Sequence, residues 1–350
     1  MKAAVYYGKN DIRVEEVARP TNKPNNMIVK VLCCAICGTD LKTYMMGSPK
    51  IIPPKIIGHE MVGSIVHVGE DVSGFSPGEY VTLATTISCG VCNYCKAGLG
   101  NLCIDTTPIS SYYDGAFADY IEIPPKAIEN GNVIKVPPSD EYRNYALCEP
   151  LSCAVNAHEI SSVKENDVVA IIGGGPLGAI HAELAKAEGA KKVYVIEISQ
   201  QRLALMQRLK GVELIDSSSV DVAQRLREDT DGTGADIVMV CAPAAAAMED
   251  ALKYVKKSGT VCYFASLPAQ YSQLSIDSRD IHYNELRVVG SSDSRQEHVE
   301  KAVSLIHSGK IDCDAIITHA VKLTNIIDGF ELMKARESLK VLVYPEEVAK

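Results

Sequence analysis

The sequence predicts an all-β amino-terminal region followed by a doubly wound α/β region, and three observations carry that expectation. Short β-rich runs, broken by loops containing Pro and Gly, fill the first ~125 residues. From residue 168 onward the period changes, and short buried strands alternate with amphipathic helices, the pattern of a parallel sheet covered on both faces. With 350 residues, 47% hydrophobic and 23% charged, the chain can build two packed cores and is too apolar for disorder.

The amino terminus enters a strand-like run at once. Further strands are expected at 27–32, 61–68, 80–84 and 117–123, separated by turns such as Ser76-Pro77-Gly78. Pro124-Pro125 and Pro137-Pro138 bracket a transition. Strands then follow at 168–172, 193–197, 213–215, 236–241 and 260–264, with helices starting at Pro176, Gln200, Val220 and Ala245. The tail offers helices at 297–307 and 325–335 and a closing strand at 341–344. This gives a first domain over 1–150, a second over 151–290, and a carboxy-terminal segment over 291–350 expected to rejoin the first.

Thirty-five Lys plus Arg against forty-four Asp plus Glu leave a net charge of −9, and no dense basic tract is present. Nucleic acid and anionic membrane are poor partners for such a surface. The longest apolar stretches, 168–180 and 237–248, fall short of the roughly 18–20 residues that span a bilayer. No secretory pattern opens the chain, so the cytoplasm is expected, and twelve cysteines there point to metal ligation or burial rather than disulfides.

Cys89-x2-Cys92-x2-Cys95-x7-Cys103 places four thiols within fifteen residues among Gly90, Gly98 and Gly100. Short spacers let one loop wrap a zinc ion in a closed tetrahedron, which leaves no position for water and serves stability. A zinc ribbon on nucleic acid fits poorly, since the segment contributes Lys96 as its one cation. Cys37-Gly38-Thr39-Asp40, Gly58-His59-Glu60 and Glu149-Pro150 supply further candidate ligands in three places.

Gly173-x-Gly175-Pro176-Leu177-Gly178 follows the apolar strand and opens a helix, and Glu197 stands nineteen residues beyond Gly178 at the next strand's end. In that context the glycines let the backbone approach a pyrophosphate at a helix amino terminus. Glu197 accepts the ribose hydroxyls and repels a 2′-phosphate, which favours NAD, although Arg202 nearby could neutralise such a phosphate.

Together, Gly58-His59-Glu60-x2-Gly63-x5-Gly69-x2-Val72, the Cys37 motif, the cysteine lobe, Glu149-Pro150-Leu151-Ser152 and the glycine loop resemble the zinc-containing medium-chain dehydrogenases over nearly the whole chain. Within that family the Glu149 motif resembles the sorbitol (polyol) branch, and the Cys37 motif also reads like threonine dehydrogenases. The resemblance implies a GroES-like β domain holding two zinc ions and a Rossmann domain holding NAD. It implies that Cys37, His59 and Glu60 ligate a catalytic zinc, with Glu149 binding the metal directly or through water. Cys153, one helical turn later, is a further candidate. Thr39 becomes the first group of a proton relay. Lys42 stands where relatives often carry a relay histidine, so Tyr44 or a water chain is expected to replace it, and Asn156 replaces another histidine.

The same resemblance places Ala265, Ser266, Leu267, Ser291 and Ser292 on the nicotinamide side, and in the polyol branch an Arg at position 202 accompanies NAD use. The implied activity is oxidation of a secondary alcohol, most plausibly a polyol, by a dimeric or tetrameric enzyme. A threonine or other amino-alcohol dehydrogenase is the nearest rival. A crystallin-like nucleotide-binding protein would need no open metal site, and a zinc-free quinone reductase would lack Cys37, His59 and the lobe.

Overall fold

Eight strands occupy the first 136 residues: β1 (Lys2–Gly8), β2 (Asp11–Glu16), β3 (Met27–Ala35), β4 (Lys55–Ile56), β5 (Glu60–Val68), β6 (Tyr80–Leu83), β7 (Tyr120–Ile123) and β8 (Val133–Val136). The structure is a computed structural model and describes residues 1–345. The second group comprises β9 (Val168–Ile172), β10 (Lys192–Glu197), β11 (Glu213–Asp216), β12 (Ala235–Val240), β13 (Val255–Tyr263) and β14 (Arg287–Gly290). Two closing strands, β15 (Ile317–Lys322) and β16 (Lys340–Tyr344), follow.

Two compact units result. The first takes residues 1–152, 293–309 and the chain from 317 onward, and the second takes 153–292 and 310–316. In the first unit, β1 lies between β2 and β4, and a larger sheet runs β15-β16-β3-β5-β6-β8 with β7 also paired to β3. Alternate residues of these strands, among them Met27, Val29, Val31 and Ile65, meet Phe117, Phe330 and Val341 in one apolar core. At its last residue, Ala35, β3 pairs with Glu60 of β5 on one side and Leu342 of β16 on the other. That register carries the residue pair Glu60 and Lys340 to one end of the sheet.

The second unit is a six-stranded sheet ordered β11-β10-β9-β12-β13-β14, parallel throughout. Val169, Ala170 and Ile171 of β9 are fully buried, as expected of a central strand covered on both faces. Helix Pro176–Ala187 starts with proline, whose fixed φ suits a first turn, and its buried Ala179, Ala182 and Ala185 allow close packing. The chain order reverses between β9 and β12, and loops leaving the carboxyl ends of neighbouring strands there form the crevice typical of nucleotide-binding sheets.

Some boundaries differ from the sequence reading for local reasons. The helix expected from Val220 starts at Val222, because the Asp221 side chain accepts the Gln224 N–H at 2.9 Å and caps it. Strand β13 starts at Val255 rather than 260, and the pairing with β12 shifts register between Ala235 and Ile237 to admit the extra residues.

Candidate active site

Cys37 caps the helix Gly38–Met46. Its sulfur accepts the Thr39 N–H at 3.4 Å, while its own N–H donates to Asp40 Oδ2 at 3.0 Å. The other oxygen of Asp40 lies 3.5 Å from His59 Nδ1, so one buried carboxylate fixes both the Cys37 backbone and an imidazole. His59 follows Gly58, whose φ of +94° and contact with the Phe117 ring, 2.7 Å from where a Cβ would stand, admit only glycine without rearrangement. Glu60 then begins β5. Donor atoms of Cys37, His59 and Glu60 lie within 4.8 Å of one another. Thiolate, imidazole and carboxylate make a donor set that suits zinc, and the grouping fits one ion after a small contraction.

Glu60 carries a feature that local sequence did not signal. Its side chain is fully buried, and both of its oxygens accept from Lys340 Nζ, which also donates to the Ile36 carbonyl at 3.4 Å. Burial opposes the charge on Lys340, but Glu60, Cys37 and Glu149 outweigh it and raise its pKa. Lys340 therefore holds Glu60 as it waits beside the ligand cluster. At His59, burial likewise disfavours charge, and Asp40 with Cys37 overcomes it.

Glu149 stands in the first turn of helix Cys148–Ser161, within electrostatic range of His59, Glu60, Asp293 and Lys340. Its surroundings raise its pKa to about 7: burial contributes most, Glu60 and Asp293 add, and His59 and Lys340 oppose. Cys153 follows one turn later on that helix. Thr39 is exposed next to Cys37. Tyr44, expected as a relay group, stacks its ring on Phe330 with centroids 5.1 Å apart and packs, partly buried, against the apolar core. Five residues after Thr39 on a helix, it points some 140° away from it. Lys42 is exposed.

The four lobe sulfurs show the spacing their sequence implies. Cys92 lies 3.5 Å from Cys95 and 3.9 Å from Cys103, and Cys89 lies 3.9 Å from Cys95. Tetrahedral thiolates on zinc stand about 3.8 Å apart, so the pocket already has the size of the ion. Backbone N–H groups of Val91, Cys92 and Asp105 donate to these sulfurs at 3.3–3.5 Å. Amides of Cys95 and Ile104 pull the Cys92 thiol down to about 6, which favours the thiolate form that zinc requires.

In the second unit the glycine loop is packed against its own backbone. A Cβ on Gly178 would stand 1.9 Å from the Gly173 carbonyl oxygen, and one on Gly175 would stand 2.6 Å from Arg202 Nη1. Glu197, at the end of β10, accepts the Gly174 N–H at 2.7 Å through one oxygen and the Ile198 and Ser199 N–H groups at 2.8 Å through the other. The carboxylate is thus fixed beside the loop, and the Arg202 guanidinium lies 3.5 Å from the Gly174 carbonyl. Leu177 sits in the first turn of the helix that follows. Ala265, Ser266 and Leu267 follow β13, and Ser291 and Ser292 follow β14, all at the carboxyl edge of the sheet. Asn156, which sequence reasoning noted only as a departure, donates toward Ser291 Oγ at 3.3 Å and the Ser292 carbonyl at 3.5 Å. A dinucleotide fits this loop, since its bare backbone and fixed acid are the features that ligand needs.

Comparison with known proteins identifies the family. Residues 23–138 match the alcohol dehydrogenase GroES-like domain, and residues 176–308 match the zinc-binding dehydrogenase domain. The chain is 31% identical to sorbitol dehydrogenase of Halalkalibacterium halodurans, with 99% of each chain covered. It is 34% identical to L-threonine 3-dehydrogenase of Pyrococcus furiosus, covering 98% of this chain and 97% of that one. Among solved structures, a zinc-binding dehydrogenase from Sinorhizobium meliloti 1021 bound to NADP superposes with a TM-score of 0.90 at 32% identity, over 98% of this chain and 99% of the other. No helix among the described residues is long and apolar enough to cross a membrane. The resemblance read from the cysteine, histidine and glycine motifs is therefore established: the chain belongs to the zinc-dependent medium-chain dehydrogenases, as an alcohol-oxidising enzyme that uses zinc and a nicotinamide dinucleotide.

Proposed function

We propose that the enzyme oxidises a secondary hydroxyl of a polyol to a ketone with NAD, and that one placement carries this reading: Glu149 within electrostatic range of His59 and Glu60. Bound zinc would supply Lewis acidity toward a hydroxyl, and the nicotinamide would accept the hydride. Cys37, His59 and Glu60 would hold the metal, with Asp40 keeping the thiol and imidazole in register. The hydroxyl proton leaves outward through Thr39 and water, the carbon gives up hydride, and ketone, NADH and a proton result. Glu149 accepts a hydrogen bond from the neighbouring hydroxyl of the substrate, which a monohydric alcohol lacks.

An acceptor left unpaired in a buried site discriminates by as much as about 10⁴–10⁵, far beyond the 10–200-fold of a missing methylene. NADH formation with 2-butanol and 2,3-butanediol tests the idea. The diol should show the higher kcat/KM, and Glu149→Gln should shrink the ratio more than Thr39→Ala, which slows both alike. Equal turnover of the two alcohols by the wild type would sink the diol reading. Amino-alcohol oxidation is a second reading, favoured by the 34% identity to a threonine dehydrogenase and by the acidity around Glu149. The lobe's four thiols are grouped for a metal rather than paired as disulfides, which supports a reducing compartment such as the cytoplasm.

A further inference from the structure

Resting on the polyol reading, we infer that Asp293 is a specificity-determining residue that reads the substrate one hydroxyl beyond Glu149, so that the enzyme prefers extended neutral polyols and rejects polyol phosphates. Asp293 and Glu149 bring carboxylate oxygens within 4.8 Å of each other, outside the Cys37, His59 and Glu60 group. Glu149 lies within electrostatic range of both Glu60 and Asp293. Two hydroxyls on neighbouring carbons, each about 2.7 Å from its acceptor, can span the two carboxylates. A diol can reach the metal and Glu149, whereas a triol or longer polyol can also reach Asp293.

The second acid is held in place independently of any ligand. Asp293 Oδ2 accepts the Thr86 hydroxyl at 2.5 Å, and Oδ1 accepts the Ser294 N–H at 2.7 Å. Ser152 Oγ lies 2.6 Å from the Glu149 carbonyl oxygen and 2.7 Å from the buried Ser294 Oγ. The turn bearing Asp293 is thereby tied to the first turn of the helix bearing Glu149, so the spacing of the two acids is set by the fold. Charge then decides the class of substrate. Cys37, Glu60, Glu149 and Asp293 oppose zinc and Lys340, and Lys340 is already engaged by Glu60. A phosphate brought to this end of the substrate would meet carboxylate with no unengaged cation among these groups, whereas a hydroxyl brings a donor.

Asp293 has φ +60°, a left-handed conformation that glycine and asparagine also accept, so Asp293→Gly and Asp293→Asn remove the charge without straining the turn. The test measures kcat and KM for xylitol, 2,3-butanediol, sorbitol 6-phosphate and L-threonine, with calorimetric titration of xylitol as a readout independent of turnover. Asp293→Gly should lower the xylitol to 2,3-butanediol ratio of kcat/KM by about tenfold or more, mainly through KM, with a parallel loss of xylitol affinity. Asp293→Asn should recover part of the xylitol affinity and raise turnover of sorbitol 6-phosphate. Thr86→Val, which removes one of the bonds holding the carboxylate without deleting it, should shift the ratio in the same direction and decides the matter if the Asp293 variants are unstable. An unchanged ratio in all three variants, or wild-type turnover of the phosphate equal to that of xylitol, would overturn the role of Asp293 alone. Turnover of L-threonine and of neither polyol would overturn the polyol reading and this inference with it.

Discussion

Lys340 and Glu60 form a buried pair in which each removes the other's uncompensated charge. Breaking such a pair from one side typically costs about 3–5 kcal/mol, because the remaining ion is stranded in protein. Lys340→Met should therefore destabilise the metal-free protein strongly and the zinc-loaded protein less, since zinc would then supply the charge Glu60 has lost. Thermal unfolding with and without added zinc checks this, and a zinc-induced shift no larger than in the wild type would refute it. At the cofactor loop, three backbone N–H groups fix the Glu197 carboxylate. Glu197→Ala should narrow the preference for NAD over NADP by leaving Arg202 to pair with a 2′-phosphate. Wild-type kcat/KM favouring NADP, the cofactor bound in the Sinorhizobium structure, would refute the assignment.

Among the larger elements, the cysteine lobe and the helix Gly38–Met46 divide the metal chemistry between them. Cys92→Ser opens a closed site and should lower the thermal midpoint, whereas Cys37→Ser should chiefly abolish turnover, each protein retaining one of two zinc ions by elemental analysis. Helices Cys148–Ser161 and Pro176–Ala187 meet through a histidine pair: His158 Nε2 lies 3.1 Å from His181 Nδ1, and His158 Nδ1 lies 2.7 Å from Glu188. His181 is fully buried against Phe264, its Nε2 has no hydrogen-bond partner, and burial, then His158, holds its pKa well below the usual value. A depressed histidine contributes stability that is present above the unfolded pKa of about 6.5 and lost as pH falls toward the folded value. The thermal midpoint should thus decline below about pH 6.5, and His181→Leu should flatten that decline. An identical pH profile in the variant would show that other groups govern acid unfolding.

For the molecule as a whole, what could be read from sequence was what lies close along the chain. Strand 168–172, the glycine loop and the four cysteines were legible because each is set by neighbours within a few residues. The bond from the Cys37 N–H to Asp40 is equally local, whereas the approach of Asp40 to His59 joins two motifs nineteen residues apart. Lys340 was not legible, since a lysine in a closing strand reads as an exposed edge residue until β16 is placed beside β3. The pairing of Asp293 with Thr86 spans 207 positions and was hidden for the same reason. The stacking of Tyr44 on Phe330 was likewise hidden, since Phe330 lies far along the chain.

The separation of 280 residues between Glu60 and Lys340 has a consequence for biosynthesis. The lobe's four sulfurs leave the ribosome within fifteen residues of one another and can capture zinc before Lys340 is made. Glu60 emerges early but gains its counter-ion only when β16 settles beside β3. On a nascent chain the structural ion is thus expected to load first, and the centre that performs the chemistry to be finished only once Lys340, 280 residues after Glu60, has been made.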